Sequence, residues 1–319
     1  MRGLSAMVWL MALCATSVSA AEYPCAQIRI IVPFPPGGSN DAVARILAER
    51  FEASLKRTVV VESRPGATGN IGTLATVNAK PDGCTLLVNG VNIATFPYSF
   101  AKLSYDPLRD LVAVGSIGNS PSVIVTGAAN DIKDVGQLLR WAAEKPGGLA
   151  YSTAGVGLLQ HLAIEEIAQR TGAKFVHVPY KGGPQSATDL ISGRLDFGCL
   201  SAGSIVQLLE GGQLKPIAVV QNKRSTLVPN IPTIVEQGQA PLDAGVLYML
   251  YAQGATPKET VSLLSDELLK IIRDPGVQAR LVRTGFEPTP IGMEESMQIM
   301  RQAADTWAPL IRRLKLHLE

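Results

Sequence analysis

The sequence predicts an α/β protein of two lobes with a cleft between them. Three observations carry that prediction. Short β-branched runs alternate with segments of helical period. Glycine-rich turns separate several of these runs from the helix that follows. The whole order occurs twice, and a last third of the chain then returns to strand and helix. Strand–helix–strand order implies parallel pairing with right-handed crossovers.

Ile28-Arg29-Ile30-Ile31-Val32-Pro33-Phe34 reads as a buried strand, broken by Pro35-Pro36-Gly37-Gly38. Ser39 reads as the N-cap of a helix over 41–55, where Ala42, Ile46 and Phe51 fall near helical spacing. A Val-rich strand at 58–62, a helix at 71–79, the turn Pro81-Asp82-Gly83 and a strand at 85–89 complete the first round. Residues 111–126 form one long extended segment, interrupted by Gly115 and Gly118. The second round has helices at 135–145, 158–170 and 185–192 and strands at 149–152, 174–179, 195–200 and 214–220. A strand at 246–252 and helices at 258–273 and 294–316 close the chain. The chain is expected to cross into the second lobe near 111–126 and back near 219–227. That assigns 21–121 and 224–319 to lobe 1 and 122–223 to lobe 2, with a hinge at the crossings.

Composition narrows the function. The chain has 319 residues, 46% apolar and 18% charged, which excludes a disordered polyelectrolyte. Its 29 Lys+Arg against 27 Asp+Glu leave +2, so no basic footprint for nucleic acid exists. Arg2 is the only charge before Glu22, an apolar run follows it, and Val18-Ser19-Ala20 supplies small residues at a cleavage site. Residues 1–20 therefore read as a secretory signal peptide, which sends the chain out of the cytoplasm. Export permits disulfides. If the strands at 28–34 and 85–89 are parallel neighbours, Cys25 and Cys84 share a sheet edge at bonding distance. Cys199 reads as a buried free thiol.

Catalytic constellations are missing from the pattern. His161, His177 and His317 do not form a metal-ligand set, and no H-E-x-x-H, C-x-x-C or G-x-S-x-G occurs. Gly155-Val156-Gly157 starts like a dinucleotide fingerprint and fails at Gln160. His161 and His177 read as packing or capping residues, and Glu165-Glu166 as a solvated helix face. No cofactor, metal or nucleic acid is expected. An exported hydrolase using Ser152 or Ser201 is the enzyme alternative, without a positioned base.

What recurs is the glycine-rich turn before a helix: Pro35–Asp41, Pro65–Gly72, Ser152–Gly157 and Lys181–Gly183. Glycine lets backbone approach a ligand, and first helical turns have unpaired N–H groups with partial positive charge. A carboxylate fits there without arginine. Arg64 and Lys181 read as solvated side chains near the cleft.

Several of these segments carry a resemblance. Tyr23-Pro24, the run from Ile28 through Phe34-Pro35-Pro36-Gly37-Gly38-Ser39-Asn40-Asp41, Val61-Glu62-Ser63-Arg64-Pro65-Gly66-Ala67 and Gly69-Asn70-Ile71-Gly72 resemble Bug-type receptors of tripartite tricarboxylate transporters. Val178-Pro179-Tyr180-Lys181-Gly182-Gly183, Ile231-Pro232-Thr233 and Thr256-Pro257-Lys258 continue the match along the chain. The resemblance implies a type II-like periplasmic binding protein, monomeric, that captures a small carboxylate and delivers it to membrane transporter subunits. A sensory role, presenting the ligand to a membrane receptor, is the alternative. By position, the implied ligand contacts are Phe34, Gly37, Gly38, Ser39, Asp41, Gly69 and Asn70 in lobe 1, with Ser152, Gly155, Val156 and Gly157 in lobe 2. Asn40 stands where the family often has Thr, Leu158 where a small hydroxyl residue usually follows, and Cys84 where Tyr is usual.

Overall fold

The computed structural model describes residues 23–316, so the signal peptide expected at 1–20 lies outside the described residues. The chain starts with β1 (Gln27–Val32), α1 (Ser39–Leu55), β2 (Thr58–Ser63), α2 (Asn70–Val77) and β3 (Thr85–Gly90). Two short helices, α3 (Phe96–Ser99) and α4 (Pro107–Asp110), lead to β4 (Leu111–Ser120). The second round is β5 (Ser122–Gly127), α5 (Val135–Glu144), β6 (Leu149–Thr153), α6 (Leu159–Thr171) and β7 (Phe175–Pro179). It continues with α7 (Gly183–Ile191), β8 (Phe197–Ser201), α8 (Ala202–Glu210) and β9 (Leu214–Val219). The return consists of β10 (Val246–Gln253), α9 (Lys258–Arg273), α10 (Pro275–Arg283), β11 (Glu287–Pro288) and α11 (Met293–Leu314).

Two sheets result. The first has the order β11-β4-β10-β3-β1-β2 and the second β7-β6-β8-β5-β9. Each sheet, covered by its helices, is one lobe of an α/β two-lobed fold. The expected parallel pairing holds for β1 with β2 and β3, and for β6 with β7 and β8. It does not hold where the chain crosses. The single extended segment expected at 111–126 is two strands in different sheets, divided at Pro121, which lacks the N–H needed to continue a ladder. β4 leaves towards the second sheet and β10 comes back from it, so the two lie antiparallel, from Val246 opposite Ser120 to Gln253 opposite Leu111.

Burial explains the pattern of each element. Val43, Ile46, Leu47 and Phe51 of α1 share a core with Ile28, Ile30 and Val32 of β1 and with Leu264 and Leu268 of α9. On the other face one core runs from Ile31 and Leu87 through Trp307 and Ile311 of α11 to Tyr151, Leu159 and Phe197 of the second lobe. α11 thus joins the lobes behind the cleft. That junction corrects the reading of Glu165-Glu166 as a solvated face. Glu166 is buried and paired with Arg170 Nε at 2.7 Å and with Arg313 of α11, and Glu165 accepts the Tyr151 hydroxyl at 2.6 Å.

Because β1 and β3 are parallel neighbours, their starts meet at one edge, and Cys25 and Cys84 are joined there by a disulfide with Cα atoms 5.5 Å apart. Cys199 is a free, buried thiol. Among the described residues no helix is long and apolar enough to cross a membrane.

Candidate functional site

Four helix starts meet at one cleft: α1 from the first lobe, and α6, α7 and α8 from the second. Phe34, Gly38, Ser39 and Asn40 supply one wall, and Leu158, Gln160 and Gly182–Pro184 the opposite one. Ser201 and Ser204 of α8, Asn89 and Asn92 at the end of β3, and Val246 and Tyr248 of β10 complete the lining. None of these side chains is charged. The room within it is about 40 Å³, enough for roughly three waters.

What the cleft offers instead of charge is backbone. Among the helices away from it, α4, α5 and α10 are each capped by an aspartate, Asp106, Asp134 and Asp274, and α9 and α11, like α3 without a side-chain cap, have glutamates in the first turn. The four converging helices have no side-chain cap on their N-cap residues, and α6, α7 and α8 have no acid in the first turn. Among the described residues, the N–H groups of Ser39, Asn40, Leu159 and Gln160 have no acceptor in the protein. Such uncapped donors, with the macrodipoles behind them, favour an anion. Ser39 is not the N-cap expected of it. Gly38 takes that position, and the Ser39 hydroxyl bonds Ser204 Oγ at 2.9 Å and donates to Ser201 Oγ at 3.3 Å across the cleft.

The other implied contacts fall into two groups. Phe34, Gly69, Gly155 and Val156 line an adjoining outer chamber of about 230 Å³, with Thr68, Tyr180 and Lys181. Phe34 and Ala154 stand between the chambers and line both. Arg64 lines neither chamber and bonds Glu62 at 2.6 Å. Gly37, Asp41, Ser152 and Gly157 hold the turns from behind. The Gly37 N–H donates to Asp41 Oδ2 at 3.0 Å, and the same oxygen pairs with Arg45. The Gly157 N–H donates to His161 Nδ1 at 3.1 Å, and the fully buried Ser152 accepts the Ser186 hydroxyl at 2.6 Å. Asn70 lines neither chamber, and its Oδ1 is buried without a partner.

Neither serine of the hydrolase alternative has an activating base. Ser201 donates to Ser120 Oγ at 2.7 Å, and Ser120 donates to the Gly285 carbonyl at 2.9 Å. Tyr248 lies beside Ser39 and Ser201, its phenol raised by burial, so it is a neutral donor at neutral pH.

Sequence reasoning missed Asn89, Asn92, Gln160, Ser204, Val246 and Tyr248 as lining residues. Asn89 and Asn92 follow the same strand-end rule as the glycine turns but lack glycine punctuation. Val246 and Tyr248 arrive on the returning strand, and no local signal marks them.

Residues 43–316 match the family model of the tripartite tricarboxylate transporter family receptor. The chain belongs to this receptor family. Protein BugT of Bordetella pertussis is 31% identical to the receptor over 304 residues, covering 93% of this chain and 92% of BugT. The periplasmic binding protein BugD superposes with a TM-score of 0.86 at 28% identity, covering 92% of the receptor and 99% of BugD. An R. palustris protein solved with adipate superposes with a TM-score of 0.87 at 26% identity, covering 91% of the receptor and 97% of that chain. The family is one of receptors and BugD is a binding protein, so the chain is a solute-binding receptor rather than an enzyme.

Proposed function

We propose that the receptor captures a small carboxylate by lobe closure in the periplasm and hands it to membrane subunits of a tripartite tricarboxylate-type transporter. One observation carries this reading: four helix starts converge on a cleft that has no charged side chain, and at two of them, α1 and α6, the N–H groups of Ser39, Asn40, Leu159 and Gln160 have no acceptor among the described residues. The carboxylate is held by backbone donors of α1 and α6, with hydroxyl and carboxamide groups around it. Gly38 and Ser39, beside Phe34, make the first-lobe contacts, and Gly69, Gly155 and Val156 receive a longer ligand in the outer chamber. Residues 21–121 with 224–319, and 122–223, move as the two bodies. Pro121 and the stretch after β9 are the hinge. Residues 1–20 direct export, and the mature chain acts as a monomer. The adipate on the R. palustris neighbour supports a carboxylate as ligand.

Closure is driven only by contacts that the ligand makes better in the closed form. Calorimetry against mono-, di- and tricarboxylates tests the reading, and saturable binding of at least one is expected. Silence across dicarboxylates, amino acids, aromatic acids and citrate would overturn it. Closure itself is tested by Gly155→Val. A Cβ on Gly155 would lie 2.9 Å from Thr68 Cγ2 of the facing lobe, so the branched side chain props the turns apart. Affinity should fall about tenfold or more while the ligand-free melting temperature changes little. An unaltered affinity would place the ligand elsewhere.

A further inference from the structure

Both lobes fix a ligand-facing turn with the same device, and the second lobe builds it without charge. In lobe 1, Gly37 (φ 83°) precedes the N-cap Gly38, and Asp41, third residue of α1, reaches back to accept the Gly37 N–H at 3.0 Å. In lobe 2, Gly157 (φ 77°) precedes the N-cap Leu158, and His161, third residue of α6, reaches back to accept the Gly157 N–H at 3.1 Å. This is half a capping box moved one residue outward. It satisfies the glycine N–H without using the donors of the first two helical residues, which have no acceptor among the described residues. Asp41 brings a negative charge that Arg45 offsets at 3.0 Å, whereas His161 brings none.

The tautomers follow from the bonds. An accepting Nδ1 leaves the His161 proton on Nε2, which lies 3.9 Å from Glu165 Oε1. The ring stacks on His177 with centroids 4.0 Å apart, and His177 Nε2 is 2.8 Å from Thr153 Oγ1. Thr153 has one hydroxyl proton and gives it to the Gly155 carbonyl at 3.0 Å, so His177 Nε2 is the donor in that pair. The two rings therefore hold opposite ends of one turn. The other titratable groups packed around them are Tyr151, which donates to Glu165 at 2.6 Å, and Cys199 behind Tyr151, whose thiol burial keeps protonated. Burial pushes His161 down to about 3 and His177 to about 4, so both rings are neutral at neutral pH.

We propose that His161 is the positioning residue of the second-lobe ligand turn: a neutral acceptor that fixes Gly157 and so aims the Leu159 and Gln160 N–H groups into the cleft. The inference rests on the cleft being the ligand site. A histidine that merely fills the core would affect stability, and affinity only in proportion. Asn and Leu at this position have nearly the same volume and differ in the acceptor, so His161→Asn and His161→Leu form a matched pair. Hydrogen exchange at the Gly157 amide is read in the ligand-free protein. Affinity is read with whichever of succinate, malate, adipate and citrate the wild type binds most tightly. His161→Leu should speed Gly157 exchange and weaken binding by about tenfold, with a melting temperature no lower than that of His161→Asn. His161→Asn should restore both protection and affinity. A Leu variant with wild-type protection, or an Asn variant as impaired as the Leu variant, would overturn the proposal. If the wild type binds none of the four acids, affinity is read with the tightest-binding member of the wider carboxylate panel; silence across that whole panel overturns the carboxylate reading, while the exchange measurement still decides the role of His161.

Discussion

Serine at both Cys25 and Cys84 should lower the melting temperature of the receptor by about 10 °C and leave the ligand affinity of the folded protein unchanged. The bridge spans 59 residues of sequence, and closing a loop of that length in the unfolded chain is worth about 4 kcal/mol. It ties the starts of β1 and β3, whereas the cleft opens at the other ends of those strands, at Phe34 and Asn89. Stability and binding should therefore separate. The turn that carries Cys84 has its own restraints. Tyr23 donates its hydroxyl to the Gly83 carbonyl at 2.6 Å, and Asp82 Oδ1 accepts the Cys84 N–H at 2.8 Å. These should keep the serine protein folded at room temperature. Thermal unfolding with and without reductant, beside calorimetry of the same samples, makes the measurement. An equal melting temperature for the two proteins would mean that the bridge contributes nothing.

The bridge was legible because it needed only one topological statement, that β1 and β3 are parallel neighbours. The elements with their own period were legible for the same local reason. α9 was expected at 258–273 and is found at Lys258–Arg273. What the sequence hid lies at the crossings and at contacts between distant segments. The run through Pro121 was expected to cross between lobes, but its division into two strands of different sheets was not legible, since both halves are equally apolar and extended. Glu166 looked solvated because its partner Arg313 is 147 residues away on α11. Ser39 has the chemistry of an N-cap, yet its hydroxyl is spent on Ser201 and Ser204, which arrive from the second lobe. The glycine turns were found, but not which of their N–H groups remain free. That depends on the third residue of each helix, Asp41 in one lobe and His161 in the other.

Asn40→Asp should abolish carboxylate binding without unfolding the receptor. Asn40 is the second residue of α1, lines the cleft and is 6% exposed, with its Oδ1 unpartnered. The substitution keeps the shape and adds a negative charge where the proposal puts the ligand's own. Two such charges about 5 Å apart repel by about 3 kcal/mol at an effective dielectric near 20, two to three orders of magnitude in affinity. The folded state responds with the opposite sign. An acid in the first turn of a helix is favoured by the macrodipole, by about 0.5 kcal/mol, and the N–H groups of Ser39 and Asn40 have no competing acceptor. The introduced carboxylate would occupy the anion site itself. The melting temperature should stay at or above that of the wild type while binding is lost, and neutral Asn40→Ser should bind within about tenfold of the wild type. Wild-type affinity in the aspartate variant would remove the ligand's carboxylate from the start of α1, and with it the idea that uncapped helix donors do the work of a cationic side chain in this cleft.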